Sequence, residues 1–465
     1  MDITVAGTDD SIVMVEGEAR EISEADMLAA LAFAHGYIKL MCQVQLELAR
    51  ECGREKRQAP RSDDHSVLKS DVQSIVGERL RELANTPLRK EVRAEQTSAV
   101  YNDVLTQLAE KYPEQEKAIR KIVEDMEYVS MRETILDNAK RLDGRGLTDI
   151  RPITIEVGLL PRTHGSALFQ RGETQSLTTM TLGTKLDEQI IDGLLPDSTK
   201  RFMLHYNFPP FSVGEVGRLG TTGRREIGHG NLAERSLKNL MPPEPEFPYT
   251  LRIVSDILES NGSSSMATVC AASLALFDGG APLRKAIAGI AMGLVKEGDR
   301  VAILSDILGN EDHLGDMDFK VAGTQDGITA CQMDIKIRGI SLDIMRNALE
   351  QAREGRLHIL GIMNAAISAP RGDLSMYAPR LTSFKVPVDM IGAVIGPGGK
   401  IIRQIVKDSG AEVNIEDDGT IVVAATSKES AQKAIDAINK ITEVPEIGKI
   451  YHSTVKKVTD FGVFV

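Results

Sequence analysis

The chain has 465 residues, too many for one ordinary hydrophobic core, so about three domains are expected. Its 42% hydrophobic and 26% charged residues exclude a disordered or fibrous protein, and a net charge of -12 argues against non-specific coating of nucleic acid, though a local basic groove still suits a phosphodiester backbone. Tryptophan is absent, and the four cysteines, Cys42, Cys52, Cys270 and Cys331, make no C-x-x-C pair or zinc spacing and fit a reducing compartment.

The first residues, MDITVAGTDD, contain no basic stretch followed by an apolar one. The longest apolar run, MATVCAASLALF from Met266, falls short of the roughly 20 residues that span a bilayer, so a cytoplasmic location is expected. A repeat organises this end: VAGT occurs at residues 5–8 and again at 321–324, and ISEADMLAALAFA from Ile22 parallels ISLDIMRNALEQA from Ile340. Each copy reads strand, turn, strand, amphipathic helix. Asp2 falls opposite Asp318 and Thr4 opposite Lys320, so the first copy is a degenerate twin that keeps a carboxylate and lacks the ammonium. Because the chain begins at this strand, most of the first unit is expected upstream and the chain is expected to be a fragment.

Between residues 54 and 140 charge rises, glycine nearly vanishes, and VQSIVGERLRELA and DVLTQLAEKY carry helix-period apolar positions, which predicts a small all-helical domain. From 141 to about 372, β-branched runs (ITIEVG, SLTTMTLG, YTLRIVSDI) mix with alanine-rich runs expected to be helical, such as LRKAIAGIAMGLVKEG, and the fold class is α+β. Within this region Arg224 and Arg225 precede Glu226 and the glycine-flanked His229, and two adjacent guanidiniums in a glycine-bordered loop suit bidentate phosphate binding. Ser263, Ser264 and Ser265 follow Asn261 and Gly262 at a predicted helix start, where hydroxyls and unpaired N–H groups attract an anion.

The run EDHLGDMDFK from Glu311 places four carboxylates, an imidazole and a lysine within ten residues. From Asp316 polar and apolar residues alternate as on a half-buried strand, with Asp316, Asp318 and Lys320 on one face and Met317 and Phe319 on the other. Like charges so placed need a cation, a proton or a nearby base.

After the linker-like SAPRGDLSMYAPR, residues 380–443 read strand, short helix, glycine-rich loop (Gly396, Pro397, Gly398, Gly399), helix opened by Lys400, hairpin turning at Asp417 to Gly419, and a last helix. This order resembles a KH domain, which implies single-stranded RNA lying along Gly396, Gly398, Gly399 and Lys400. Residues 446–465 resemble the opening strands of an OB-type barrel, with Phe461 and Phe464 where base-stacking aromatics would sit.

The strings RLDGRGLTDIRPI, LPRTHGSALFQRGETQSL, HYNFPPFSVGEVG, TTGRREIGHG and SNGSSSMATVC, together with the Glu311 cluster, resemble the ribonuclease PH family. With the duplication, the helical insert and the RNA-binding modules, the resemblance is to its polynucleotide phosphorylase branch. It implies the tail of a first core at 1–53, a helical domain at 54–140, a second, catalytic core at 141–372, a KH domain at 380–443 and an incomplete OB-type domain at 446–465. It further implies a phosphorolytic 3′ to 5′ exoribonuclease of mRNA turnover, in which inorganic phosphate cleaves RNA reversibly to nucleoside diphosphates. Ser263 to Ser265 would bind phosphate; Arg224, Arg225 and His229 would contact RNA. Asp312 and Asp318 would hold Mg2+ or Mn2+, with Asp312, Asp318 and Lys320 catalytic. A homotrimer for the full-length form and an RNA-degradation complex are the implied assemblies, with no membrane partner. Two other outcomes stay open: a non-catalytic RNA-binding ring subunit of the exosome type, and hydrolysis by water.

Overall fold

The computed structural model describes residues 1–58, 65–194, 196–443, 450 and 453–464. It divides into two compact units, Met1–Leu182 with Glu188–Ser375, and Met376–Val465 with Gly183–Asp187.

The first unit opens with an antiparallel hairpin, β1 (Asp2–Gly7) and β2 (Ile12–Ile22), and the long helix α1 (Glu24–Cys52). Three amphipathic helices follow, α2 (Ser66–Asn85), α3 (Lys90–Leu108) and α4 (Glu116–Asn138), closed around Val72, Val76, Val104, Ile119 and Val123. Next come β3 (Ile153–Val157), β4 (Gly165–Arg171), β5 (Thr174–Gly183), the short hairpin β6 (Gln189–Ile191) and β7 (Ser198–Lys200), β8 (Phe202–Asn207), α5 (Arg224–Lys238) and β9 (Thr250–Glu259). The unit finishes with α6 (Ser264–Asp278), β10 (Ala288–Glu297), β11 (Arg300–Ser305), α7 (Gly309–Leu314), β12 (Met317–Gly323), β13 (Ile328–Ile335) and α8 (Leu342–Ala366).

Two sheets result, one ordered β3-β4-β5-β9-β8 and the other β1-β2-β13-β12-β10-β11. Helix α6 is buried over nearly its whole length and packs on strands of both, which explains its Ala, Val, Leu and Met on every face. A helix apolar all round is stable only when covered all round.

The repeat is realised as matched hairpin–helix units. In each, a serine caps the helix: Ser23 accepts from the Asp26 N–H and Ser341 from the Ile344 N–H. The hairpins then join edge to edge through antiparallel β2 and β13, with Gly17 opposite Cys331 and Glu16 opposite Gln332. Helix α1 sets Met27, Leu31, His35 and Ile38 inward and leaves Phe33, Tyr37, Leu40 and Val44 exposed. By length and composition it is apolar enough to cross a membrane; counting only uninterrupted apolar runs missed it because Lys39 and scattered polar residues break the run.

One expectation is corrected. The run LRKAIAGIAMGLVKEG is not helical: residues 288–297 form β10, the strand between β11 and β12. A strand buried on both faces reads as continuous apolar sequence, which periodicity cannot separate from a buried helix. Gly289 and Gly293 show why small residues occur there. A Cβ on Gly289 would lie 2.6 Å from the Met266 sulfur, and one on Gly293 2.5 Å from the Ile307 side chain.

The second unit contains β14 (Arg380–Lys385), α9 (Ile391–Ile395), α10 (Lys400–Ser409), β15 (Glu412–Ile415), β16 (Thr420–Ala425) and α11 (Lys428–Thr442), with the sheet ordered β14-β16-β15 over Val394, Ile421, Val423, Ala434 and Ile438. Gly396, Gly398 and Gly399 have φ of 70°, 57° and 75°, a left-handed run that side chains resist. The hairpin of β17 (Lys457–Thr459) and β18 (Gly462–Phe464) carries the exposed rings of Phe461 and Phe464. The expected OB-type segment lies partly outside the described residues, at 446–449, 451–452 and 465.

Candidate active site

A pocket of about 680 Å³ lies in the first unit where the start of α6, the start of α5, α7 and strand β12 converge. It brings together Arg225, His229, Ser263, Ser264, Ser265, Asp312, Asp318 and Lys320. Arg224 is exposed and does not line it, while Gly396, Gly398, Gly399 and Lys400 belong to the second unit. Arg224, Arg225 and His229 also differ locally from expectation, being in α5 rather than in a loop. Glu226 holds that helix start, accepting from the Gly223 N–H at 2.6 Å and the Phe208 N–H at 2.9 Å. Four residues apart, Arg225 and His229 share a helix face, and the Arg225 guanidinium lies 5.6 Å from the Phe208 ring centre.

The puzzle of four carboxylates resolves by partner. Glu311 is buried and paired with buried Arg141, whose Nε donates to it at 2.8 Å, and it accepts from the Leu308 N–H at 2.8 Å to start α7. Asp316 is buried against Arg132 of α4 through two bonds of 2.9 and 2.8 Å. It therefore anchors the helical segment and does not face the pocket. Asp312 and Asp318 are left in the pocket, each with a lysine beside it. Lys320 Nζ donates to Asp318 Oδ2, and Lys336 Nζ donates to the Asp312 and His313 carbonyls and lies 3.9 Å from the Asp312 carboxylate. Burial first, then repulsion by Asp318, raises the Asp312 carboxyl above its ordinary range.

Several buried polar atoms here have no hydrogen-bond partner among the described residues: the Ser263 and Ser265 hydroxyls, Asp318 Oδ1 and His229 Nδ1. Such atoms are costly unless a ligand satisfies them. The hydroxyls sit at the start of α6, and the Ser264 hydroxyl is taken by Tyr206 at 2.6 Å. Asp318 Oδ1, beside a second carboxylate and with no third His, Cys, Asp or Glu grouped with them among the described residues, suits a hard divalent cation whose other ligands are water or phosphate oxygens.

The serine loop is held in an unusual shape. Gly262 and Ser263 have φ of 93° and 52°, and a Cβ on Gly262 would meet the Ile307 carbonyl at 2.4 Å. What fixes it is a buried cluster around Asp306. Arg151 binds Asp306 at 2.7 Å and the Asn261 carbonyl at 2.6 Å; Arg171 lies 2.6 Å from Asp306 and donates to the Ser263 carbonyl at 3.0 Å. Burial alone would raise the Asp306 carboxyl, yet Arg151 and Arg171 hold it far below the ordinary range. Arg132, Arg141, Arg151, Arg171, Asp306 and Lys336 are thus site-building residues that sequence reasoning did not single out. Arg141, Arg151 and Arg171 stand in the strings RLDGRGLTDIRPI and LPRTHGSALFQRGETQSL, while Arg132, Asp306 and Lys336 have no local signal.

His229 is pushed down to about 3, by burial first and then by the positive Lys320 and Arg225. Its imidazole is expected to stay neutral between about pH 5 and pH 8, so its ring NMR signals should not move over that range. A titration midpoint near the ordinary histidine value would contradict this environment.

Residues 149–282 match the 3′ exoribonuclease family, domain 1, and residues 1–37 match domain 2 of that family. Residues 67–146 match the RNA binding domain of polyribonucleotide nucleotidyltransferase, and residues 381–440 match the KH domain. Among curated relatives, polyribonucleotide nucleotidyltransferases of Chlorobaculum parvum, Prosthecochloris aestuarii and Chlorobium chlorochromatii are 56%, 55% and 57% identical over 100% of this chain. The chain spans 66% of the length of each.

Proposed function

The chain belongs to the polyribonucleotide nucleotidyltransferase family, and from that premise we propose that it is a phosphorolytic 3′ to 5′ exoribonuclease that converts RNA and inorganic phosphate reversibly to nucleoside diphosphates. The observation that carries this reading is the coincidence, in one pocket, of unsatisfied serine hydroxyls at a helix start, an unpaired Asp318 oxygen and the cations Arg225 and Lys320. Phosphoryl transfer asks a protein mainly for positioning and charge stabilisation, and these residue types supply both.

Ser263, Ser265 and the N–H groups at the start of α6 bind orthophosphate. Arg225 grips the phosphodiester next to the RNA 3′ end, with Phe208 beside it, and exposed Arg224 contacts the approaching strand. An oxygen of hydrogen phosphate bonds to the scissile phosphorus as the bond to the 3′ oxygen of the preceding nucleotide breaks; Lys320 steadies charge on that oxygen until it takes up the proton that the hydrogen phosphate gives up. Asp312 and Asp318 would hold a divalent cation, Mg2+ or Mn2+, which supplies Lewis-acid neutralisation of phosphate oxygens. Neutral His229 packs edge-on to Tyr206, ring centres 5.2 Å apart, and keeps the wall beside Ser264 in place.

On this reading residues 1–53 are the tail of a first core, 54–140 a helical domain, 141–372 the catalytic core, 380–443 a KH domain feeding single-stranded RNA and 446–465 the start of an OB-type domain. The working form is a cytoplasmic homotrimer. Microscopic reversibility supplies a test: with a nucleoside diphosphate and Mg2+, the protein should make polynucleotide and release orthophosphate in equal amounts, and replacing Ser263 and Ser265 by alanine should suppress both. Polymer without phosphate release would defeat the proposal.

A further inference from the structure

Resting on that reading of the pocket, we propose that Lys90, the first residue of α3, binds the incoming orthophosphate, so that the helical segment completes the phosphate site instead of merely bracing it. Lys90 lines the same pocket as the serine loop, is half-buried, and donates to the Ser260 carbonyl at 2.9 Å. Ser260 lies three residues before Ser263, so this bond brings the ammonium to the loop that presents the unsatisfied hydroxyls.

The other lysines of the pocket are committed elsewhere. Lys320 is tied to Asp318, and Lys336 to the Asp312 and His313 carbonyls with the Asp312 carboxylate nearby. Lys90 and Arg225 are the pocket cations that form no ion pair with a carboxylate among the described residues. A lysine ammonium has three donors, and the Ser260 carbonyl takes one. Serine hydroxyls contribute hydrogen bonds but no charge, whereas orthophosphate near neutral pH carries one to two negative charges. An unpaired ammonium anchored at the base of the serine loop supplies the missing neutralisation. Arg225 differs in setting: it leans over the Phe208 ring, an arrangement suited to the RNA end.

The test is calorimetric titration of the 465-residue chain with inorganic phosphate in the absence of RNA, for the unaltered protein, Lys90→Gln and Lys90→Arg. RNA binding and thermal unfolding are measured on the same samples. Lys90→Gln should weaken phosphate binding by about tenfold or more, Lys90→Arg should keep most of the affinity, and RNA affinity and unfolding temperature should not change. Equal phosphate affinity in Lys90→Gln would overturn the role of Lys90 while leaving the pocket intact, as would parallel losses of phosphate affinity, RNA affinity and stability. No phosphate binding by the unaltered protein would overturn the phosphorolytic reading as well.

Discussion

Asp318→Asn should lower phosphorolysis roughly a thousandfold or more while RNA still binds and the fold is kept. The substitution preserves shape and removes one charge from a carboxylate that sits beside Asp312, holds the Lys320 ammonium through one oxygen and leaves the other without a partner. An amide is a poor ligand for a hard cation compared with a carboxylate, and it no longer fixes the ammonium that faces the leaving oxygen. Any loss of stability should be small, because the attraction to Lys320 that is given up is offset by relief of the repulsion between Asp318 and Asp312. Asp316→Asn, two residues away, should do the reverse. It weakens the buried pair with Arg132, so unfolding temperature drops while phosphate and RNA still find their site. Steady-state rates, RNA binding and calorimetric unfolding on both variants separate chemistry from architecture. Equal loss of activity and stability in the two would mean that Asp318 is another structural acid.

Asp306→Ala should cost about 3–5 kcal/mol of stability, because it leaves Arg151 and Arg171 charged, buried and unpaired. At roughly 1–2 °C per kcal/mol for a unit this large, the unfolding temperature should fall by roughly 3–10 °C. The pH dependence follows from the sign of the shift. A carboxyl depressed in the folded state contributes stability that is present above its unfolded value of 3.8 and lost only as pH falls through the still lower folded value. The gap between the two proteins should therefore stay constant from neutral pH down to about pH 5 and begin to narrow only in stronger acid. A gap that closed between about pH 7 and pH 5 would show that Asp306 is not held ionised by its arginines. The variant should also bind phosphate poorly, since Arg151 and Arg171 fix the Asn261 and Ser263 carbonyls.

These variants mark where the sequence was readable. The residues proposed to meet substrate were legible because each stands in a dense local string: three serines after Asn-Gly, two arginines before Glu, and Asp-x-Lys on an alternating strand. The repeat was legible because a hairpin and its capped helix leave a pattern over some twenty residues, and the two copies pair through β2 and β13. The arginines that make the pocket possible were not, because their partners are distant in the chain. Arg132 meets Asp316 184 residues on, Arg141 meets Glu311 170 residues on, and Arg151 meets Asp306 155 residues on. No local periodicity records such pairs. Strand β10 was misread because full burial erases the alternation that identifies a strand, and its glycines answer to Met266 and Ile307, not to a turn. Asp316 shared the alternation of Asp318, and only the position of Arg132 on α4 separates the anchor Asp316 from Asp318 in the pocket.

The central claim is that this pocket uses phosphate, not water, to cut RNA, and the identity of the released nucleotide tests it most directly. Radiolabelled RNA incubated with the protein and Mg2+ should yield nucleoside 5′-diphosphates when phosphate is present and stay intact when it is left out. Nucleoside monophosphates in phosphate-free buffer, or no nucleotide release under either condition, would contradict the account.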